Sequence, residues 1–111
     1  MSKENNQEIE LPKLSRKEFA ILGLLVSKGE MFGLEMVKES EGNLKRGSIY
    51  VILSRMSDKG YVESREEPRE YPEIGIPRRK YWASGLGERV YRANVKAQEF
   101  FNSDLAWGGI S

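Results

Sequence analysis

At 111 residues the chain can form one domain with a modest core and is too short for two. Its 18 Lys and Arg against 17 Asp and Glu leave a net charge of +1, so a nucleic-acid partner has to be argued from where the charges lie. With no cysteine and no histidine, it lacks a disulfide framework, thiolate and imidazole metal ligands and the commonest general base, so no metal, cofactor or enzyme activity is expected.

Residues 1–13 are polar and Glu-rich and end in a proline, which predicts a flexible arm without a hydrophobic signal segment. Ser15 with Glu18 three places on has the form of a capping box. A helix is expected from there to about Ser27, burying Phe19, Leu22 and Val26 with Ile21 and Leu25 beside them. The apolar run over 20–26 is far too short to span a bilayer, so no membrane partner is expected and the location should be cytoplasmic. Lys28-Gly29 ends the helix. A shorter helix over 33–40 should bury Leu34, Met36 and Val37 before Glu41-Gly42-Asn43 breaks it.

A third helix is expected over 46–59, with Ile49, Ile52, Leu53 and Met56 at helical spacing and Gly60 at its end. The period then changes. Residues 61–66 and 79–83 read as strands, joined by a polar, proline-containing hairpin tip over 67–78. Ser84 is placed to cap a last helix reaching about Leu105, although Gly85 and Gly87 cost it roughly 1 kcal/mol each relative to alanine. The order predicts an α+β, mainly α fold: a winged helix-turn-helix of three helices and a two-stranded wing, followed by a long C-terminal helix.

Viewed down the third helix, the arc opposite Ile49, Leu53 and Met56 holds Gly47, Ser48, Val51, Ser54, Arg55 and Asp58, with Tyr50 at the border. Small side chains allow a helix to sit deep in a major groove, where Ser48 and Arg55 could donate to phosphates or base edges. Lys45 and Arg46 stand at its start, where cations oppose the helix dipole by a few tenths of a kcal/mol unless an anion is the intended partner. Arg78, Arg79 and Lys80 crowd the return of the hairpin, and Arg65 lies on its outgoing strand. Taken alone, these wing cations fit phosphate contact and internal salt bridges equally well, since Glu66, Glu67, Glu70 and Glu73 share the hairpin.

Gly47 to Met56, followed by Lys59-Gly60-Tyr61-Val62, resembles the signature of PadR-type transcriptional regulators. Arg79-Lys80-Tyr81-Trp82, Ser84 with Gly87, Lys28-Gly29 and Phe32-Gly33 extend the resemblance over about 14–98. Lys45-Arg46 departs from the family's Ser or Thr then Pro, which makes Asn43 the expected cap; Ala83-Ser84 stands where Leu-Thr is usual. The resemblance implies a homodimer binding an inverted-repeat operator in double-stranded DNA, generally as a repressor. It places Ser48, Tyr50 and Arg55 on the recognition helix, Lys45 and Arg46 beside it, and Arg78, Arg79 and Lys80 on the wing. Tyr50 could reach a phosphate through its hydroxyl or pack its ring on the first helix.

Val90, Ala93, Ala97, Phe100, Phe101 and Leu105 line one side of the last helix. That side could fold back on Ile21 and Leu25 or meet its twin across a two-fold axis, and the resemblance favours the twin. It also implies that a planar aromatic effector can sit near the dimer interface, where Trp107 is the candidate to stack on it; Trp82 reads as core. The expected divisions are an arm over 1–13, a winged-helix domain over 14–84, a dimerisation helix over 85–107 and a tail over 108–111. The competing reading is a winged-helix module whose outward helix docks on another protein.

Overall fold

The capping box at Ser15 forms. Ser15 Oγ accepts the Glu18 N–H at 3.1 Å and the Glu18 carboxylate accepts the Ser15 N–H at 2.9 Å, starting α1 (Arg16–Lys28). The computed structural model describes residues 12–68 and 78–110, with side chains as far as residue 102. Most of the expected arm, most of the hairpin tip and the side chains of Leu105 and Trp107 therefore lie outside the described residues.

After α1 come β1 (Met31–Phe32), α2 (Gly33–Glu39), α3 (Ile49–Asp58), β2 (Val62–Glu66), β3 (Arg79–Ala83) and α4 (Gly85–Ile110). The two-stranded wing expected over β2 and β3 forms, and β1 joins it as the third strand of the sheet. β3 pairs antiparallel with β2, placing Arg65 opposite Lys80, and with β1, placing Phe32 opposite Lys80, in the order β1-β3-β2. A two-residue strand shows no alternation of its own; β3 defines it by pairing with it.

The core closes around Ile21, Leu22 and Leu25 of α1, Met36 of α2, and Ile49, Leu53 and Met56 of α3, all essentially buried. The α3 residues occupy the i, i+4, i+7 face expected of them, with Ile52 packed at its edge. In α1 the buried face is shifted relative to expectation: Phe19 and Val26 are only half-buried. In α2 Met36 is buried as expected and Val37 half-buried, but Leu34 is exposed.

The helix start expected at Arg46 is also corrected. Residues 46–48 form a turn in which the Lys45 carbonyl accepts the N–H groups of both Ser48 and Ile49, so α3 begins at Ile49. Asn43 does not cap it. Instead Ser40 Oγ accepts the Leu44 N–H at 2.9 Å, and Leu44 is driven into the core at 1% exposure. The tail expected over 108–111 is helical as far as Ile110.

The junction of wing and α4 explains a glycine that propensity alone disfavours. Ser84 Oγ donates to the Gly60 carbonyl and accepts the Gly87 N–H, while the Ser84 N–H donates to the Tyr61 carbonyl. These bonds draw α4 onto the backbone at Tyr61 so closely that a Cβ at Gly87 would lie 2.0 Å from the Tyr61 oxygen. Further along α4, the Tyr91 ring lies 5.0 Å from that of Phe19. Asn94 receives the Leu14 N–H and donates to the Pro12 carbonyl, tying the segment before α1 to α4.

Candidate nucleic-acid interface

Because α3 is anchored by Ile49, Leu53 and Met56, its opposite face is presented outward. Val51, Ser54, Arg55 and Asp58 are exposed there, as is Gly47 in the preceding turn, while Ser48 is half-buried. Ser48 is the residue at the N-cap position, yet its side chain makes no capping hydrogen bond, and the first turn of α3 has no acidic residue.

The sequence-derived candidates divide between two flanks of α3. On the wing side, Arg46, Tyr50, Arg78 and Arg79 line a groove of about 690 Å³ whose apolar wall includes Phe32, Leu34 and Tyr81. On the side toward α1, Ser48 and Arg55 line a second groove of about 750 Å³, shared with Lys13 and Lys17. Lys45 is exposed and Lys80 half-buried, and neither lines these grooves.

Tyr50 packs across Gly33 at the start of α2. A Cβ at Gly33 would come within 2.8 Å of the Tyr50 ring, so the glycine makes room for it. Even so, Tyr50 remains 49% exposed, and its ring forms part of the groove wall. Beneath it, burial pushes the Tyr81 phenol up, while Arg79 partly offsets that effect.

The wing cations are not equivalent. Arg65 is committed internally: its guanidinium meets Glu30 at 2.8 Å and Glu67 at 3.0 Å and lies over the Trp82 ring. The bond to Glu30 raises the pKa of Arg65, and the bond from Arg65 lowers that of Glu30. Internal salt bridging therefore accounts for Arg65. Arg78 instead stacks its guanidinium 3.9 Å from the Phe32 ring centroid, with Lys80 over the same ring at 5.2 Å. Arg79 donates to Ser64 Oγ at 3.0 Å. Among the described residues these three cations have no carboxylate partner.

The candidate dimer residues also divide. Val90 is 5% exposed, packed in the chain's own core. Ala93 is half-buried, and Ala97, Phe100 and Phe101 are exposed, the two phenylalanines at 75% and 60%. The start of α4 folds back on α1 while residues 96–102 stand clear of the domain. Among the described residues no cluster of acidic side chains could hold a metal, and no helix is long and apolar enough to cross a membrane.

Sequence reasoning missed Lys13, Lys17, Phe32 and Leu34 as groove residues. Lys17, in the first turn of α1, opposes that helix's dipole as Lys45 and Arg46 oppose that of α3, and this signal could have found it.

A helical trio whose third helix turns a small-residue face outward, beside an antiparallel wing, defines a winged helix-turn-helix protein. The chain belongs to the PadR-like family of transcriptional regulators, whose family profile matches residues 21–93. A PadR family transcription regulator from Clostridium difficile is 22% identical and superposes with a TM-score of 0.68, covering 81% of this chain and 94% of that one. A PadR-like transcription factor from Bacteroides fragilis is 20% identical, with a TM-score of 0.70 over 86% and 89% of the two chains. A transcriptional regulator from Thermoplasma acidophilum is 26% identical, with a TM-score of 0.63 over 80% and 85%. A comparison with curated protein sequences yields no significant match.

Proposed function

We propose that this regulator binds DNA sequence-specifically as a homodimer and represses transcription from an inverted-repeat operator. α3 enters the major groove and the wing holds the sugar-phosphate backbone. The observation that carries this reading is the face of α3: its outward residues are small or hydroxylic apart from Arg55 and Asp58, and Arg46, Arg78 and Arg79 converge on its wing side. Arg55 is placed to donate to a phosphate or to a guanine, and the exposed Val51 to meet a thymine methyl. Tyr50 and the wing cations take phosphates, which fix register but carry no sequence information.

Two half-sites about 34 Å apart require two copies of α3 in one assembly. The exposed Phe100 and Phe101 supply the contact, since burying such a side chain contributes about 1.5–3 kcal/mol. The test is selection of bound duplexes from a random pool, with the mass of the free protein measured alongside. A recovered palindrome and a dimeric mass are expected. Failure to enrich any sequence, or retention on duplex DNA that does not respond to salt, would instead favour a protein-docking module.

A further inference from the structure

The groove between α3 and the chain leading into α1 is chemically unlike the wing groove. Four cations line it, Lys13, Lys17, Arg55 and Lys59, against one carboxylate, Glu18. That carboxylate is already satisfied. Its Oε2 takes the Lys59 ammonium at 2.6 Å, and its Oε1 accepts the Ser15 N–H. Glu18 and Lys59 thus cancel, and Lys13, Lys17 and Arg55 remain, with no carboxylate partner among the described residues.

Lys13 is also held in place. Its neighbours on both sides are tied to one side chain of α4, Asn94, which donates to the Pro12 carbonyl at 3.1 Å and accepts the Leu14 N–H at 3.3 Å. These bonds fix the backbone around a cation that would otherwise belong to a loose end. Like charges gathered along a groove repel one another unless an anion screens them.

An α-helix about 10–12 Å across fills a major groove about 12 Å wide, so both of its flanks approach rows of phosphates. The wing cations address one row. We infer that Lys13 and Lys17 form the second shoulder of the interface, seating the phosphates on the other edge of the major groove, with Asn94 as the positioning residue for Lys13. This inference rests on the DNA-binding reading above. It adds that the duplex is gripped from both sides of α3, and that the helix carrying Phe100 and Phe101 also helps to set one of the two grips.

The test uses the full-length protein, the duplex recovered by selection and a scrambled duplex of equal length. For K13Q/K17Q, which removes four lysines from the dimer, affinity should fall by the same factor on both duplexes, roughly 100- to 10,000-fold at 0.1 M salt. The slope of log affinity against log salt should become shallower by about 3.6 for the dimer, that is about 0.9 for each of the four phosphates no longer neutralised, two per protomer. K13R/K17R should restore it, and N94A should show about half the slope change while leaving both lysines intact. An unchanged slope, or a loss confined to the selected duplex, overturns the inference while leaving the DNA-binding reading standing. A wild-type protein without salt-dependent affinity for any duplex overturns both. A measurement without protein variants checks the same point: methylphosphonates placed along the backbone of the selected duplex should weaken wild-type binding on both edges of the major groove. Sensitivity on the wing edge alone overturns the inference.

Discussion

Replacing Gly87 with alanine sets two physical effects against each other. Helix propensity favours alanine by about 0.8–1 kcal/mol at a helix-interior position, so sequence reasoning makes G87A stabilising. The structure reverses the sign. The added Cβ would fall 2.0 Å from the Tyr61 oxygen and 2.8 Å from its carbonyl carbon, both backbone atoms that no rotamer change can move. Restoring ordinary contact requires α4 and β2 to separate by more than about 1 Å, an overpacking strain of about 1–3 kcal/mol. The same movement stretches the bonds from Ser84 to Gly60 and Tyr61 and from Gly87 to Ser84, each contributing about 1 kcal/mol. After the propensity gain is subtracted, G87A should destabilise by about 2–4 kcal/mol, lowering Tm by about 10–25 °C in a domain of this size. G85A is the internal control. Its Cβ would find nothing nearer than an Arg89 guanidinium nitrogen at 3.6 Å, so this variant should match or slightly exceed the wild type. Thermal unfolding followed by circular dichroism measures both. If G87A melts with G85A, the close approach of α4 to β2 is wrong, and so is the account of how α4 is attached to the wing.

R55A should cost about 1–3 kcal/mol against the selected duplex and relax specificity at one position, whereas R79A should weaken all sequences alike; binding titrations on single-base variants of the duplex separate the two patterns. For F100E with F101E, sedimentation should show a monomer and affinity for a palindrome should fall toward that for a single half-site; an intact dimer would place the interface elsewhere. Glu18 is desolvated, which raises its pKa, but the Lys59 ammonium and the Ser15 N–H outweigh this and leave it lowered. It therefore stabilises the fold above the ordinary carboxylate pKa, and that contribution fades as pH falls through the lowered folded value. E18Q should be less stable at neutral pH and should lose part of the acid-side decline seen in wild-type denaturation midpoints; parallel profiles would dismiss the ion pair as a contributor.

Patterns that repeat within one element are readable from the residues alone. Ser15 and Glu18 lie one turn apart, so their capping box is a local event, and Ile49, Leu53 and Met56 recur at the helical period, so the buried face of α3 and its exposed opposite follow from spacing. Lys13, Lys17 and Arg55 meet only after α1 packs against α3, and sequence distance conceals that grouping. That the Tyr50 ring settles over Gly33 of α2 is likewise hidden in the sequence, because the two residues meet only when α2 and α3 pack together.

The order of the four helices and the two wing strands, the outward face of α3 and the family resemblance were all present in the residues, since each depends on neighbours a few positions apart. Only the tertiary structure decided that Arg65 is already spent on Glu30 and Glu67, while Arg78, Arg79 and Lys80 have no carboxylate partner among the described residues. It alone made β1 a strand through its pairing with β3, packed Val90 into the chain's own core, and turned Gly87 from a helix-weakening residue into a required one. Hydrogen bonds, ion pairs and steric contacts act over a few ångströms, and in each of these cases the atoms that come that close lie far apart along the chain.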